Sequence, residues 1–188
     1  MFQYRFSVTG AQGVGKTTLA RSLYEKCCTQ LPLDCTLLSG IGTRIRERGY
    51  PIGSQATVET IYAFAAEHLK RERQCPATII VQDRCLLDML GYARALGKLS
   101  RVSLEMVEQV VLSSCIKMDA IFYLPICEEL RDAKEARENP QFRVAVAQQI
   151  EIAARDLGLV LHEITGTHEE RLEKAFTFVR HRVEQLPL

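Results

Sequence analysis

Residues 10–17 read GAQGVGKT, and this stretch decides the fold. It matches the pattern G-x-x-x-x-G-K-[ST]. The residues before it, QYRFSVT over 3–9, alternate apolar with small or polar side chains and predict a strand. The residues after it predict a helix from about Gly15 to Cys28. A strand, a glycine-rich turn and the start of a helix, in that order, are the context that a phosphate-binding loop (P-loop) requires.

The residue types of this loop indicate what it binds. Glycines allow torsions that other residues resist, so successive N–H groups can point inward at an anion. The N-terminus of the helix adds partial positive charge. Lys16 supplies a cation for the β- and γ-phosphates, and the Thr17 hydroxyl can ligate Mg²⁺. We therefore predict that ATP with Mg²⁺ binds here rather than that the loop is an empty turn. The predicted nucleotide-binding residues are Gly10, Gln12, Gly13, Val14, Gly15, Lys16, Thr17 and Thr18.

Helical and extended patterns alternate along the rest of the chain. Four further strands are predicted near residues 35–38, 78–82, 120–124 and 159–164, and helices link them. Predicted N-caps are Ser54, Ser103, Asn139 (before Pro140) and Thr167, which pairs with Glu170 in a capping box. This alternation predicts an α/β fold with a doubly wound parallel sheet, whose ligands bind at the carboxyl ends of the strands.

The composition fits one compact domain. The chain has 188 residues, of which 47% are apolar and 25% are charged, and its formal net charge is +1. That charge gives no chain-wide basic field for nucleic acid, although a local basic groove is possible. Seven cysteines without a Cys-x-x-Cys pair indicate reduced thiols, and no apolar run is long enough to span a membrane. We therefore expect a cytoplasmic protein, either a monomer or a homodimer.

A second candidate segment follows the strand TIIVQ at residues 78–82. Asp83 can hold Mg²⁺ or accept the proton of a substrate hydroxyl. Arg84 offers a fork of donors to phosphate. Arg84, Asp88 and Tyr92 recur at intervals of four, which places them on one helix face and predicts that Asp88 and Tyr92 contact the substrate. The alternative is that Arg84 and Asp88 form a surface ion pair.

Other P-loop classes fit less well. A GTPase needs a guanine-reading Asn-Lys-x-Asp, which the chain lacks. A hexameric motor ATPase needs a longer chain and an Asp-Glu pair after an apolar strand, where this chain has Asp83-Arg84. These differences favour a kinase.

The stretch after the fourth strand is rich in charge. Its cations at Arg131, Lys134, Arg137 and Arg143 predict a lid over about residues 126–143 that closes on the phosphates and excludes water. We predict catalytic roles for Arg131 and Arg137. The alternative is a solvated helix crossed by salt bridges, because acidic residues are interleaved with these cations.

The P-loop, the Asp83-Arg84-x-x-x-Asp88-x-x-x-Tyr92 segment, the arginine-bearing lid and the late turn at Thr165–Thr167 occur in an order that resembles the nucleoside- and nucleotide-kinase-like P-loop kinases. The nearest branch is that of the nicotinamide riboside kinase-like ATPases often carried by bacteriophages. The resemblance covers nearly the whole chain.

The resemblance implies a three-layer sandwich around a five-stranded sheet of order 2-3-1-4-5, with a small helical lid. It implies that Gly166 and Thr167 lie near the adenine. It also implies that the segment between the second and third strands, which contains Arg44 and Arg48, holds the acceptor. One departure is that no acid follows the second strand before Glu47, where several nucleoside kinases place their base. The role of base then shifts to Asp83.

Three hypotheses remain open for the function. The first is a kinase that phosphorylates a hydroxyl or phosphate of a nucleoside or nucleotide. The second is a kinase for a hydroxymethylated pyrimidine in phage DNA, suggested by Arg44, Arg46 and Arg48 with the cations of residues 70–73. The third is a P-loop regulatory ATPase. The histidines at 68, 162, 168 and 181 do not cluster, and we expect each to be structural or exposed.

Overall fold

The computed structural model describes residues 3–126 and 139–185. Most of the predicted lid, including Arg131 and Arg137, lies outside the described residues. Five strands form one sheet in which every pair of neighbours is parallel, in the order β2-β3-β1-β4-β5. The strands are β1 (Tyr4–Thr9), β2 (Cys35–Leu38), β3 (Ile79–Asp83), β4 (Ala120–Tyr123) and β5 (Leu161–Glu163). The predicted fold class and strand order are confirmed.

Helices cover both faces of the sheet, which accounts for the three layers. They are α1 (Lys16–Gln30), α2 (Ile41–Glu47), α3 (Val58–Gln74), α4 (Leu86–Leu96), α5 (Arg101–Cys115), α6 (Pro140–Asp156) and α7 (His168–Glu184). One core cluster joins β1 and β3 to α1 and α7. A second joins β4 to α4, α5 and α6. No helix within residues 3–126 and 139–185 is long and apolar enough to cross a membrane.

The central strands are buried on both faces, so the alternating sequence of β1 does not mark a solvent-exposed face. Every residue of β3 is buried. In β1 the small polar side chains of Ser7 and Thr9 are fully buried. The parallel register pairs Val8 with Asp83, and Thr9 with Tyr123. The carboxyl ends of β1, β3 and β4 therefore meet at one edge of the sheet, where the P-loop begins.

Two of the four predicted helix starts are wrong. Helix α3 begins after Thr57, whose side chain and that of Thr60 form a reciprocal capping box, whereas Ser54 lies in a short 3₁₀ turn. Helix α5 begins after Ser100, which accepts a hydrogen bond from the N–H of Ser103 at 3.1 Å. In both cases an earlier or later hydroxyl completes the same local pattern, so the sequence offers two possible starts. The caps at Asn139 and Thr167 are confirmed.

Candidate functional site

The P-loop connects β1 to α1 in a conformation that its glycines permit. Gly10 has φ +138°, and a Cβ there would lie 2.4 Å from the carbonyl oxygen of Leu124. Gly10 is therefore the point where the loop leaves the sheet against the end of β4. Helix α1 begins after Gly15 with no side-chain cap, so its first N–H groups face the loop without a competing side chain. This is the arrangement expected of an anion site at a helix N-terminus.

The side chain of Lys16 folds back against the backbone of the P-loop. Its side chain is only 3% exposed, and its Nζ donates to the carbonyl of Ala11. The ammonium group thus stays beside the backbone that would cradle phosphates. Thr17 and Thr18 follow in the exposed first turn of α1. These placements suit the predicted roles of the loop residues in binding MgATP.

Asp83 and Thr17 meet at the carboxyl edge of the sheet. The Thr17 hydroxyl donates to Asp83 Oδ2 at 2.8 Å. Asp83 ends β3 and is 7% exposed, and its Oδ1 is buried with no hydrogen-bond partner among the described residues. A buried carboxylate oxygen without a partner is costly unless something cationic compensates it. A hydroxyl and a carboxylate at this distance fit the ligands that Mg²⁺ takes beside phosphates.

Arg84 holds a backbone conformation that is unusual for its type. Its φ is +83°, and it is the one residue other than glycine with positive φ within residues 3–126 and 139–185. Its N–H donates to the carbonyl of Val8 at 3.0 Å, which ties it to the end of β1. Burial acts to lower the pKa of Arg84, but the nearby Asp88, Tyr92 and Asp83 raise it overall. Its guanidinium therefore stays charged at the sheet edge.

Asp88 is tied into the fold at the start of α4. Its Oδ2 accepts from the Thr9 hydroxyl at 2.8 Å and from the Cys85 N–H at 3.0 Å. It is 3% exposed, so the alternative of a surface ion pair with Arg84 is wrong. The structure therefore gives Asp88 a capping role that sequence reasoning did not predict. Its predicted contact with the substrate stays a prediction.

A cavity of about 470 Å³ opens beside the P-loop. Gln12 and Thr17 line it on the phosphate side, and Asp83 and Arg84 line its floor. Helices α2, α3 and α4 and the segment between α2 and α3 supply its walls, which mix apolar and polar side chains. The apolar wall residues include Ile41, Ile52, Phe64, Met89 and Tyr92. A cavity of this size in which apolar surface surrounds converging polar groups is typical of small-molecule sites.

The arginines predicted for acceptor binding have different surroundings. Arg44 and Arg48 do not line the cavity, and Arg48 forms an ion pair with Glu67 at 2.9 Å. Arg46, which lies between them in the sequence, does line the cavity, and so does Arg21 from α1. The spacing of two residues between these arginines does not predict which of them faces the cavity. In a helix such as α2, each residue is rotated by about 100° from the one before it, so residues two apart point in different directions.

Two arginines that hold the P-loop were assigned otherwise or missed. Arg143, predicted as a lid cation, lies in α6, is 2% exposed and donates from Nε to the carbonyl of Gln12 at 3.0 Å. Arg171 of α7 donates from Nη1 to the carbonyl of Val14 at 3.2 Å. The lid assignment is wrong for Arg143, because its side chain is buried under the loop. The predicted cap at Asn139 is the sequence signal that separates Arg143 from the other predicted lid cations, because it places Arg143 in the first turn of a helix.

The turn at Thr165–Thr167 lies near the P-loop. Gly166 has φ +111°, and Thr167 caps α7 in the predicted box with Glu170, whose carboxylate accepts from the Thr167 N–H at 2.8 Å. Because Arg171 in the first turn of α7 contacts Val14, this turn is a neighbour of the loop. Its contact with adenine stays a prediction.

The chain matches a known sequence family and resembles several solved structures. Residues 5–171 match the AAA domain family. A search of curated proteins finds no match. Two solved structures of NadR protein, one in complex with NAD and AMP-PNP and one with NR, align over 100% of this chain with TM-scores of 0.72 and 0.74 at 17% and 18% identity. This chain spans about half of those chains, 51% and 53%.

Thymidylate kinase from Ehrlichia chaffeensis aligns with a TM-score of 0.67 at 13% identity, over 97% of this chain and 100% of its own. At such identities the likeness shows the fold, which agrees with the strand order 2-3-1-4-5. The family match spans most of the sequence and includes the P-loop and the Asp83-Arg84 segment. The chain therefore belongs to the AAA domain family, with the fold of the P-loop nucleotide kinases.

Proposed function

We propose that this protein is a kinase that transfers the γ-phosphoryl group of MgATP to a nucleoside, a nucleotide or a related acceptor bound in the 470 Å³ cavity. The observation that carries the proposal is that the P-loop and the cavity are continuous with each other. Thr17 and Asp83 are hydrogen-bonded to each other and both line the cavity. A donor phosphate on the P-loop and an acceptor in the cavity would therefore meet over the Thr17–Asp83 pair. The folds of NadR and thymidylate kinase support this reading.

Different residues of the site serve different steps of an in-line phosphoryl transfer. The acceptor oxygen forms a bond to the γ-phosphorus as the bond to the bridging oxygen of ADP breaks. Lys16 and Arg84 neutralise charge on the transferring group. Thr17 and Asp83 would hold Mg²⁺, which supplies further neutralisation when bound. For a hydroxyl acceptor the proton must leave, and Asp83 is its acceptor, because its Oδ1 has no hydrogen-bond partner among the described residues and because Asp83, unlike Asp88, is hydrogen-bonded to Thr17 beside the phosphates.

The proposal is tested by ADP release in a coupled assay over a panel of nucleosides and nucleoside monophosphates. We expect at least one acceptor to stimulate release, and Asp83→Asn to lower the stimulated rate by about a hundredfold or more. Asp156→Asn is the matched control, because Asp156 is half exposed and pairs with Arg94 away from the cavity. Slow hydrolysis that no acceptor stimulates would favour the regulatory ATPase instead.

A kinase for a hydroxymethylated pyrimidine in DNA is the second candidate. The observation that favours it is that Arg44 and Arg46 on α2 are exposed beside the cavity and form no ion pair with a described residue. A base turned out of a duplex could enter the cavity while these cations contact phosphates. Arg71 contributes less than predicted, because it is half-buried and donates to the carbonyl of Ser39. Label transfer from γ-labelled ATP to hydroxymethylated duplex, with none to plain duplex, would establish this candidate.

A further inference from the structure

Two buried polar residues of α3 lie against both neighbours of Asp83. His68 is 4% exposed and Glu72 is 5% exposed, and they occupy successive turns of the helix. His68 Nε2 lies 3.3 Å from the carbonyl oxygen of Arg84. A carboxylate oxygen of Glu72 accepts from Gln82 Nε2 at 3.0 Å. The pair thus contacts the residue before Asp83 and the residue after it.

The bond from His68 falls where the backbone is strained. A left-handed conformation costs a side-chain-bearing residue about 1–2 kcal/mol, so the surrounding contacts must hold Arg84 in it. The N–H of Arg84 is held by Val8, and its carbonyl is held by His68. The peptide that joins Arg84 to Cys85 has two anchors. Its carbonyl faces His68, and its N–H donates to Asp88 Oδ2 at 3.0 Å. Without His68 only the Asp88 anchor remains, and the direction of the Arg84 side chain at the cavity floor is less firmly fixed.

The chemistry of the ring determines which atom carries the proton. A carbonyl oxygen can only accept, so His68 Nε2 must donate. Nδ1 of the same ring lies 3.3 Å from Glu72 Oε1, at ion-pair distance without the alignment of a hydrogen bond. The Ser114 hydroxyl also contacts Glu72, at 3.0 Å from Oε2, and Arg5 lies 3.9 Å away. When Nδ1 carries a proton as well, the ring is a cation that this anchored carboxylate attracts, and the Glu72 contact then orients Nε2 toward Arg84.

We infer that His68, oriented by Glu72, is a positioning residue that fixes Asp83 and Arg84 in the geometry needed for phosphoryl transfer. This role rests on the proposed function, because it acts through the residues assigned to the transfer. His68 lines the cavity but acts through the Arg84 carbonyl. The sequence gives no hint of this, since His68 resembles any polar residue on a helix. The relation appears only when α3 packs across the end of β3.

Two substitutions of similar size separate this role from simple packing. In His68→Gln the amide nitrogen can reach the place of Nε2 and still donate to Arg84. In His68→Asn the amide nitrogen reaches only the place of Nδ1, beside Glu72. We expect His68→Gln to keep MgATP turnover within about threefold of the parent protein, with water or a panel acceptor. We expect His68→Asn to lower kcat about tenfold to a hundredfold.

The binding of AMP-PNP is the second measurement. Calorimetry should give both variants a Kd within about twofold of the parent value, because His68 does not contact the P-loop. His162→Asn is the control, since His162 packs against Phe178 outside the cavity and should leave kcat unchanged. Equal kcat values for His68→Asn and His68→Gln, in proteins that melt at the same temperature, would overturn the inference.

A third measurement does not depend on turnover. The ¹⁵N spectrum of the histidine rings should show a proton on His68 Nε2, and an unprotonated Nε2 would overturn the inference. Failure of the parent protein to bind AMP-PNP would instead refute the proposed function. The two failures are therefore distinguishable.

Discussion

Asp88 offers a way to separate a structural carboxylate from a substrate-binding one. Its Oδ2 accepts from Thr9 and from the N–H of Cys85, whereas its Oδ1 is buried with no hydrogen-bond partner among the described residues. Asp88→Asn retains one carbonyl oxygen, which can take the place of Oδ2 and keep both donors paired. Asp88→Ala leaves both donors buried and without their acceptor.

The expected magnitudes follow from these contacts. An unsatisfied buried donor costs about 1–3 kcal/mol, and the loss of a helix cap costs about 1 kcal/mol. Because the cap is one of the two bonds, we expect Asp88→Ala to lower the free energy of unfolding by about 2–4 kcal/mol. Asp88→Asn keeps both donors paired but loses a buried charge that faces Arg84 and puts an amide group in the place of Oδ1, so we expect a smaller loss, of about 1–2 kcal/mol.

Urea denaturation followed by circular dichroism measures these free energies, and the acceptor-stimulated rate is measured on the same samples. If Asp88 also contacts the acceptor, Asp88→Asn will raise KM by about tenfold under conditions in which the variant is still fully folded. An Asp88→Ala protein within about 0.5 kcal/mol of the parent would refute the capping role.

Three further outcomes are expected from the packing and charge of the fold. Gly10→Ala brings a Cβ to 2.4 Å from the Leu124 carbonyl oxygen, so the P-loop must move. Calorimetry should then show an affinity for AMP-PNP that is lower by at least about tenfold. An unchanged affinity would contradict the loop geometry. Gly91→Ala brings a Cβ to 2.4 Å from Ile150 Cγ1 where α4 packs against α6. Urea denaturation should show that the free energy of unfolding falls by about 1–3 kcal/mol. An unchanged free energy would mean that the two helices can move apart at little cost. Burial acts to raise the pKa of Glu72, but His68, Gln82 and Ser114 lower it overall, below its usual 4.5. The stabilisation by Glu72 is therefore fully present above about pH 4.5 and is lost as pH falls through the lowered value, so the stability difference from Glu72→Gln should narrow as pH falls below about 4.5. A constant difference would contradict the assignment.

The elements that could be predicted from the sequence are those with local signals. The P-loop, β3 and the caps at Asn139 and Thr167 depend on residues close together in the chain. The strand order was expected from the resemblance to P-loop kinases, and the sheet confirms it. Ser103 is not the cap of α5, because Ser100 presents the same hydroxyl three residues earlier and accepts from the Ser103 N–H.

The features that could not be predicted depend on contacts between distant parts of the chain. Arg143 reaches the Gln12 carbonyl across 131 positions, so its sequence neighbours say nothing about that contact. His68 acquires its partner only when α3 crosses the end of β3. Arg46 lines the cavity in place of Arg44 and Arg48 because of the rotation of α2, which a spacing of two residues leaves open.

The most direct test of the central claim follows the γ-phosphoryl group itself. γ-Labelled ATP is incubated with Mg²⁺ and the acceptor that most stimulates ADP release, and the labelled products are separated. We expect label on the acceptor, its loss in Lys16→Ala, and its retention in Lys26→Ala, a control in the same helix whose lysine pairs with the exposed Glu173. Label found only in inorganic phosphate, or transfer that survives in Lys16→Ala, would contradict the account.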